Sequence, residues 1–416
     1  MRKAVLAAAV VVGALWIAPG AFAKTTTWCG SGAESTSDRT DIVTGRQIHA
    51  IVALPAGAPD TFSVSADELE ADVESVNAWW VGQDATRRPR FDLATFGTTS
   101  CLDVSVLHLS ESSFSGAESA FRAIGSELAS AGFVSSYKKS LVYYGGPSVE
   151  TDVCGVGGGD FDGPGIAIVI PTGCPTVPTD TVLAHELLHA LGAVPPGDPH
   201  PCPDDAAHPC DSPTDVLYPF THGEPLAQKV LDYNHDDYYG HSGSWPDIQD
   251  SEWLSHLDTP QFPFAITFAG AGTVTSDVPG IRCSASCTTQ WDQGSTFSLN
   301  ADAANGRRFV GWQGACKGVA SCFVTLDAAQ STTAVFGPVT IAVRISVKGK
   351  GRVVCTPACS RTFRAGTALT LRPVPAKGWR FARWSGACTG TRPACRPKTD
   401  FALAARATFA KKPASR

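Results

Sequence analysis

Long apolar runs are all but absent from this sequence: after the stretch Ala4 to Ile17, nothing is long and apolar enough to span a membrane as a helix. Methionine is as scarce, with one residue in 416, at position 1. Charge is sparse as well. Asp, Glu, Lys and Arg make up 17% of the chain against 43% hydrophobic residues, a balance that excludes a large disordered tract. No cysteine stands just after the small-residue sequence Ala21-Phe22-Ala23, which argues against a lipoprotein-type anchor, and no cysteine-containing propeptide switch is visible.

What is present begins with an address. Arg2 and Lys3 precede the apolar run, and Ala21-Phe22-Ala23 reads as a cleavage site, so residues 1–23 are expected to be a signal peptide and the mature protein to be secreted. All 14 cysteines lie downstream of that cut, and an even number in an exported chain reads as disulfides. Several stand in close pairs, among them Cys202 with Cys210 and Cys283 with Cys287, although the full connectivity stays open. Cys283-Cys287 and Cys316-Cys322 also have the look of zinc ligand pairs, a reading that an oxidising compartment disfavours. The formal net charge of −6 hides an asymmetry: residues 339–416 hold 17 Lys and Arg against one acid, Asp400, so an acidic body carries a basic tail.

From Gln47 to Ile170 strand and helix patterns alternate. Strands are expected at Ile48–Leu54, Leu102–Leu109, Ser140–Tyr144 and Gly165–Ile170, and helices at Ser65–Trp80 and Phe114–Ala131. Ser65 to Glu68 supplies capping-box spacing for the first helix. A third helix is expected over Thr179–Leu191, stopped by Gly192. Beyond Pro263 the texture changes to short strands with Gly-rich turns, and a repeat emerges. Cys283, Cys287, Cys316 and Cys322 recur as Cys355, Cys359, Cys388 and Cys395, and Trp312 recurs as Trp384. Each unit is too small for a large core, and two internal bridges would compensate. The cysteine and tryptophan spacing over Ile266 to Ala410 resembles the bacterial B-repeat modules of internalin-type surface proteins, which implies attachment or spacing outside the cell.

The chemistry centres on His185-Glu186-Leu187-Leu188-His189. Four residues apart on a helix, His185 and His189 face the same way and can hold one metal ion, with Glu186 beside a bound water as general base. A catalytic zinc needs a third protein ligand and an open position. With Gly192 added, the motif resembles that of the metzincin metallopeptidases, which continues His-Glu-x-x-His-x-x-Gly-x-x-His. Pro195 occupies the place of the last His, so the third ligand must come from elsewhere. Asp215-Val216-Leu217-Tyr218-Pro219 looks like the family's Met-turn with Leu217 in the Met position, and the resemblance implies an apolar floor at Leu217 and a substrate pocket bordered by Tyr218 and Pro219. Measured back from that turn, His208 falls where the third ligand is expected, with His200 the runner-up. A thermolysin-like arrangement would instead take Glu224 or Glu252.

Asp232-Tyr233-Asn234-His235-Asp236-Asp237 gathers oxygens with the early spacing of a calcium loop, but without the glycine and late Glu of such loops it reads as a solvated turn, with Ca2+ as the alternative. The sequence as a whole is therefore expected to be α+β: a metzincin-like catalytic domain of twisted mixed sheet plus helices over 24–260, then two small disulfide-bonded all-β repeats over 264–337 and 339–411. The expected function is a secreted zinc endopeptidase acting on protein or peptide substrates. The basic tail is expected to hold an anionic cell-wall polymer or other polyanion, with no membrane span and no specific nucleic acid. The competing reading is a secreted adhesion protein whose peptidase domain has lost activity, which Pro195 and Leu217 would explain.

Overall fold

The computed structural model describes residues 27–194, 197–220 and 223–413. The expected signal peptide and Pro195 lie outside the described residues.

The first strand, β1 (Gln47–Leu54), is buried along its whole length, as a central strand covered on both faces must be. Short pairs follow at its flank: β2 (Arg87–Pro89), then the hairpin β3 (Leu93–Phe96) and β4 (Thr99–Leu102). β5 (Val104–His108), β6 (Lys138–Tyr144), β7 (Gly155–Gly159) and β8 (Gly165–Val169) complete a five-stranded sheet in the order β5-β1-β6-β8-β7. All pairings are parallel except β7 with β8, which is antiparallel and leaves β7 at the edge.

Alternation sends Ile48, Ala50, Val52 and Leu54 to one face and Ile51 and Ala53 to the other. The first face packs on α1 (Phe62–Gln83) and α3 (Thr179–Leu191), the second on α2 (Ala117–Ala131). The capping box expected at Ser65 does not form. The helix begins a turn earlier, where Asp60 accepts from the Phe62 N–H at 3.0 Å, and Ser65 lies within it. The single strand expected over Leu102–Leu109 is broken at Asp103, a buried carboxylate paired with Arg39.

After α3 come the hairpin β9 (Pro201–Cys202) and β10 (Asp205–Pro209), turns, three single-turn 3-10 helices, and β11 (Leu254–His256) paired with β2. Each repeat then wraps strands around its own core. The first centres on Trp291, Phe297 and Trp312, the second on Leu371, Trp384 and Phe409. The first repeat docks on the preceding region through Arg90 and Asp292, 2.6 Å apart, and a hydrogen bond from the Gly45 N–H to the Pro279 carbonyl at 3.1 Å. Seven disulfides use all 14 cysteines: 29–101, 154–174, 202–210, 283–287, 316–322, 355–359 and 388–395.

The expected α+β class with a metzincin-like core is thereby corrected. Strand accounts for 40% of the chain and helix for 15%, and the described residues hold three α-helices, all before Gly192. The protein is mostly β. The physical reason is that α-helical periodicity ends at Gly192; the described residues after it bury apolar side chains by strand alternation, in turns or in single-turn 3-10 helices. Among the described residues no helix is long and apolar enough to cross a membrane.

Candidate metal centre

α3 is an apolar helix with one polar stripe. Leu183, Ala184, Leu187, Leu188 and Leu191 are buried in the sheet's core, and Asp180 in its first turn accepts a hydrogen bond from Ser75 of α1 at 2.6 Å. Gly192 ends it in the left-handed conformation, φ 89°, where a side chain would be strained, and a Cβ there would also meet the Phe161 backbone nitrogen at 2.6 Å. The stripe carries His185 and His189 on one side of the helix, one turn apart.

The hairpin β9–β10 brings the third imidazole. Cys202–Cys210 closes it, the Cys210 N–H donates to the His200 carbonyl at 2.9 Å, and His208 sits on its return strand. The Nε2 atoms of His185 and His208 are 3.1 Å apart, those of His189 and His208 3.1 Å, and those of His185 and His189 3.2 Å. His185 Nδ1 stands 2.8 Å from the Val216 carbonyl, which can only accept, so the proton is on Nδ1 and the Nε2 lone pair points into the triangle. His208 Nδ1 stands 2.9 Å from the Asp205 carboxylate. Burial, reinforced by His208, depresses His185 to about 4, and burial together with the other two rings holds His189 well below the usual imidazole range. Both are therefore neutral at physiological pH, the form that ligates metal.

The donor set fits zinc. Tetrahedral Zn–N bonds of ~2.0–2.1 Å hold their nitrogens roughly 3.3 Å from one another, close to the spacing found here. Without a cation the three rings would crowd nitrogen against nitrogen for little return.

Glu186 lies beside them, 6% exposed, and burial lifts its carboxyl to about 8. Its wall is the glycine strand β7. A Cβ on Gly155 would stand 2.6 Å from Glu186 Cγ, and one on Gly157 would stand 2.5 Å from the Glu186 carbonyl and 2.9 Å from His189 Cβ. Only glycine lets this edge strand approach the helix so closely. The resulting cleft, about 310 Å³, is lined by β7, the three histidines, Glu186, Val216 and Tyr218, and includes Lys229.

Leu217 is fully buried in the core beneath, and its turn is braced by Asp215, whose Oδ1 accepts the Leu217 N–H at 2.7 Å and the Tyr238 hydroxyl at 2.8 Å. Tyr218 and Pro219 both line the cleft.

The other candidates are elsewhere. His200 pairs with Asp237 at 2.7 Å, apart from the triangle. Glu224 lies 3.6 Å from Lys229 Nζ, and Glu252 pairs with Arg46 at 2.6 Å. The stretch 232–237 is solvated at Tyr233, Asn234 and His235 but buried at both ends: Asp232 and Asp237 are 2% and 0% exposed, and Asp232 accepts from the N–H groups of Tyr238 and Tyr239 at 2.7 and 2.6 Å. Sequence reasoning missed β7, Asp215 and Lys229. The run Gly155-Val156-Gly157-Gly158-Gly159 was the one available signal, since alternate glycines mark a face that something approaches.

Residues 265–340 and 341–413 each match the family described as the divergent InlB B-repeat domain. The C-terminal region is thus a pair of such repeats, and with seven disulfides they mark an extracellular or surface-exposed protein. No curated protein matches the chain. Two solved structures show local likeness: the minor pilin GBS52 of Streptococcus agalactiae (6% identity, 37% of this chain and 98% of that one, TM-score 0.13) and the major pilin T-13 of Streptococcus pyogenes (7%, 37% and 98%, TM-score 0.17). Superpositions this loose carry no argument about fold or function.

Proposed function

We propose that the protein is a secreted zinc-dependent endopeptidase. The observation that carries the reading is the triangle of His185, His189 and His208 Nε2 atoms at 3.1–3.2 Å with the buried Glu186 carboxylate in the same cleft. The motif's resemblance to that of metzincin peptidases adds to it without extending to the fold. Zinc, when held by these three nitrogens, supplies electrophilic activation of a water and of the scissile carbonyl. Glu186, whose carboxyl a cation held in the same cleft would bring back into the ionised range, would take the proton of the attacking water and deliver it to the leaving amine. The Val216 carbonyl fixes the His185 ring by accepting its Nδ1 proton, as ligand-orienting partners do. Among the described residues the outer edge of β7 has no strand partner, so an extended peptide can add its main chain there and bring a peptide bond over Glu186. Tyr218 and Pro219 border the side-chain pocket.

The test is hydrolysis of casein by the wild type and Glu186→Gln with equal zinc content. Loss of a general base costs ~10²–10⁴-fold in rate. Equal rates for the two proteins, or no hydrolysis by a zinc-loaded wild type, would sink the reading.

The second repeat exposes Arg344, Arg352, Arg361, Arg364, Arg372 and Arg380 to solvent, which supports attachment to an anionic wall polymer or other polyanion. Retention on a polyanionic resin should fall steeply as salt is raised from low to physiological strength. Retention indifferent to salt would contradict it.

A further inference from the structure

A second group of metal-ligating side chains lies outside the histidine triangle. One ligand atom from each of His200, Asp211, Asp236 and Asp237 falls within 4.8 Å of every other. That span matches the width of a calcium shell with bonds of ~2.3–2.6 Å. An acidic cluster alone means little, but two carboxylates here are buried and short of partners. Asp237 is 0% exposed and Asp198 7%, and the Oδ2 atom of each meets no hydrogen-bond donor among the described residues, the two carboxyl groups standing against each other. Their other oxygens are committed to His200: Asp198 Oδ1 accepts its N–H at 3.0 Å, and Asp237 Oδ1 stands 2.7 Å from its Nδ1. Asp236 adds a third buried oxygen, Oδ1, which accepts no hydrogen bond and stands 3.8 Å from His200 Nδ1.

These carboxylates also press on one another. No lysine or arginine forms a salt bridge with Asp198, Asp211, Asp236 or Asp237 among the described residues; His200 is the one cation-forming side chain paired with them. One imidazole stands among four carboxyl groups, an arrangement that a bound cation would relieve.

We propose that Asp211, Asp236 and Asp237, with Asp198 beside Asp237, bind a structural calcium ion at the base of the hairpin that carries His208. Oxygen outnumbers nitrogen in the set, and the one imidazole is already engaged with Asp237, which favours a hard cation over zinc. Asp198 and Asp211 bracket the β9–β10 hairpin, whereas Asp236 and Asp237 belong to the loop whose Tyr238 braces the Leu217 turn through Asp215. The ion therefore ties the segment bearing the third histidine to the segment beneath the first. This role stands whether or not the histidines serve hydrolysis, because its test reads binding and stability.

The full chain, stripped of metal and then saturated with zinc, is titrated with calcium chloride and, separately, with terbium. Trp245, whose indole N–H donates to the Asp237 carbonyl at 2.6 Å, is placed to sensitise terbium emission. One terbium per chain should bind and be displaced by calcium but not by magnesium. Millimolar calcium should raise the unfolding temperature by about 5 °C. Asp236→Asn, whose side chain is 45% exposed and so tolerates the change, should weaken terbium binding by about tenfold and keep the calcium-free unfolding temperature. The double variant Asp198→Asn/Asp237→Asn should lose the terbium signal. The proposal is overturned if calcium leaves the wild type's unfolding temperature unmoved, if terbium emission is the same in all variants, or if only zinc or manganese stabilises the chain.

Discussion

Residues 27–260 and the two repeats keep their interiors dry by different means. In the first region one cluster alone buries 38 apolar residues around a sheet covered on both faces, whereas the repeat cores bury 14 and 12. The smaller cores are each closed by two disulfides spanning four to seven residues. In the larger region two of the three bridges frame the candidate site instead: Cys154–Cys174 encloses β7 and β8, and Cys202–Cys210 closes the His208 hairpin, while Cys29–Cys101 ties the start of the described chain to β4. The lesson is one of division of labour. Where a core is large enough to hold the fold, cross-links are free to fix functional segments; where it is small, they substitute for core.

The comparison predicts separable unfolding. Leu141 and Leu371 are both fully buried, one in the sheet and one in the second repeat. Truncation of either to alanine should cost about 2–5 kcal/mol. By calorimetry, Leu141→Ala should lower the transition of the N-terminal region and leave that of the second repeat, and Leu371→Ala should do the reverse. A single transition that both variants shift equally would break the comparison.

A smaller effect sharpens it through pH. Burial raises the Asp72 carboxyl to about 6, where it accepts a hydrogen bond from the Tyr143 hydroxyl. The folded state then holds a proton that the unfolded chain has released above about 4. The stabilisation is full below that pH and is lost as pH rises through 6. Asp72→Asn, neutral throughout, should remove on the order of 1–3 kcal/mol of this pH dependence from the N-terminal transition alone. Unfolding temperatures at pH 4 and pH 7 measure it; an unchanged difference in the variant would contradict the assignment.

Much of this was legible before any coordinates. Apolar spacing located α3 to the residue, because Thr179–Leu191 has an uninterrupted apolar face and a glycine at its stop. The strand edges at Gln47–Leu54 and Lys138–Tyr144 were one or two residues longer than expected, since polar residues such as Lys139 are buried where the sheet needs them. The glycine strand β7 was invisible to propensity: what makes it a strand is pairing with β8 and contact with Glu186, both non-local. The class was misjudged because the alternating pattern of the first region was extended to the whole of 24–260, whereas the chain after Gly192 is organised by hairpins, turns and disulfides. The order of ligands depended on counting back from Leu217, and only a folded hairpin could separate His208 from His200.

That separation is the central claim, and zinc content tests it most directly. Wild type, His208→Ala and His200→Ala are loaded with equimolar zinc, freed of excess and analysed for metal. The account predicts one zinc per chain in the wild type and in His200→Ala, and little or none in His208→Ala. Zinc retained by His208→Ala but lost from His200→Ala would contradict it.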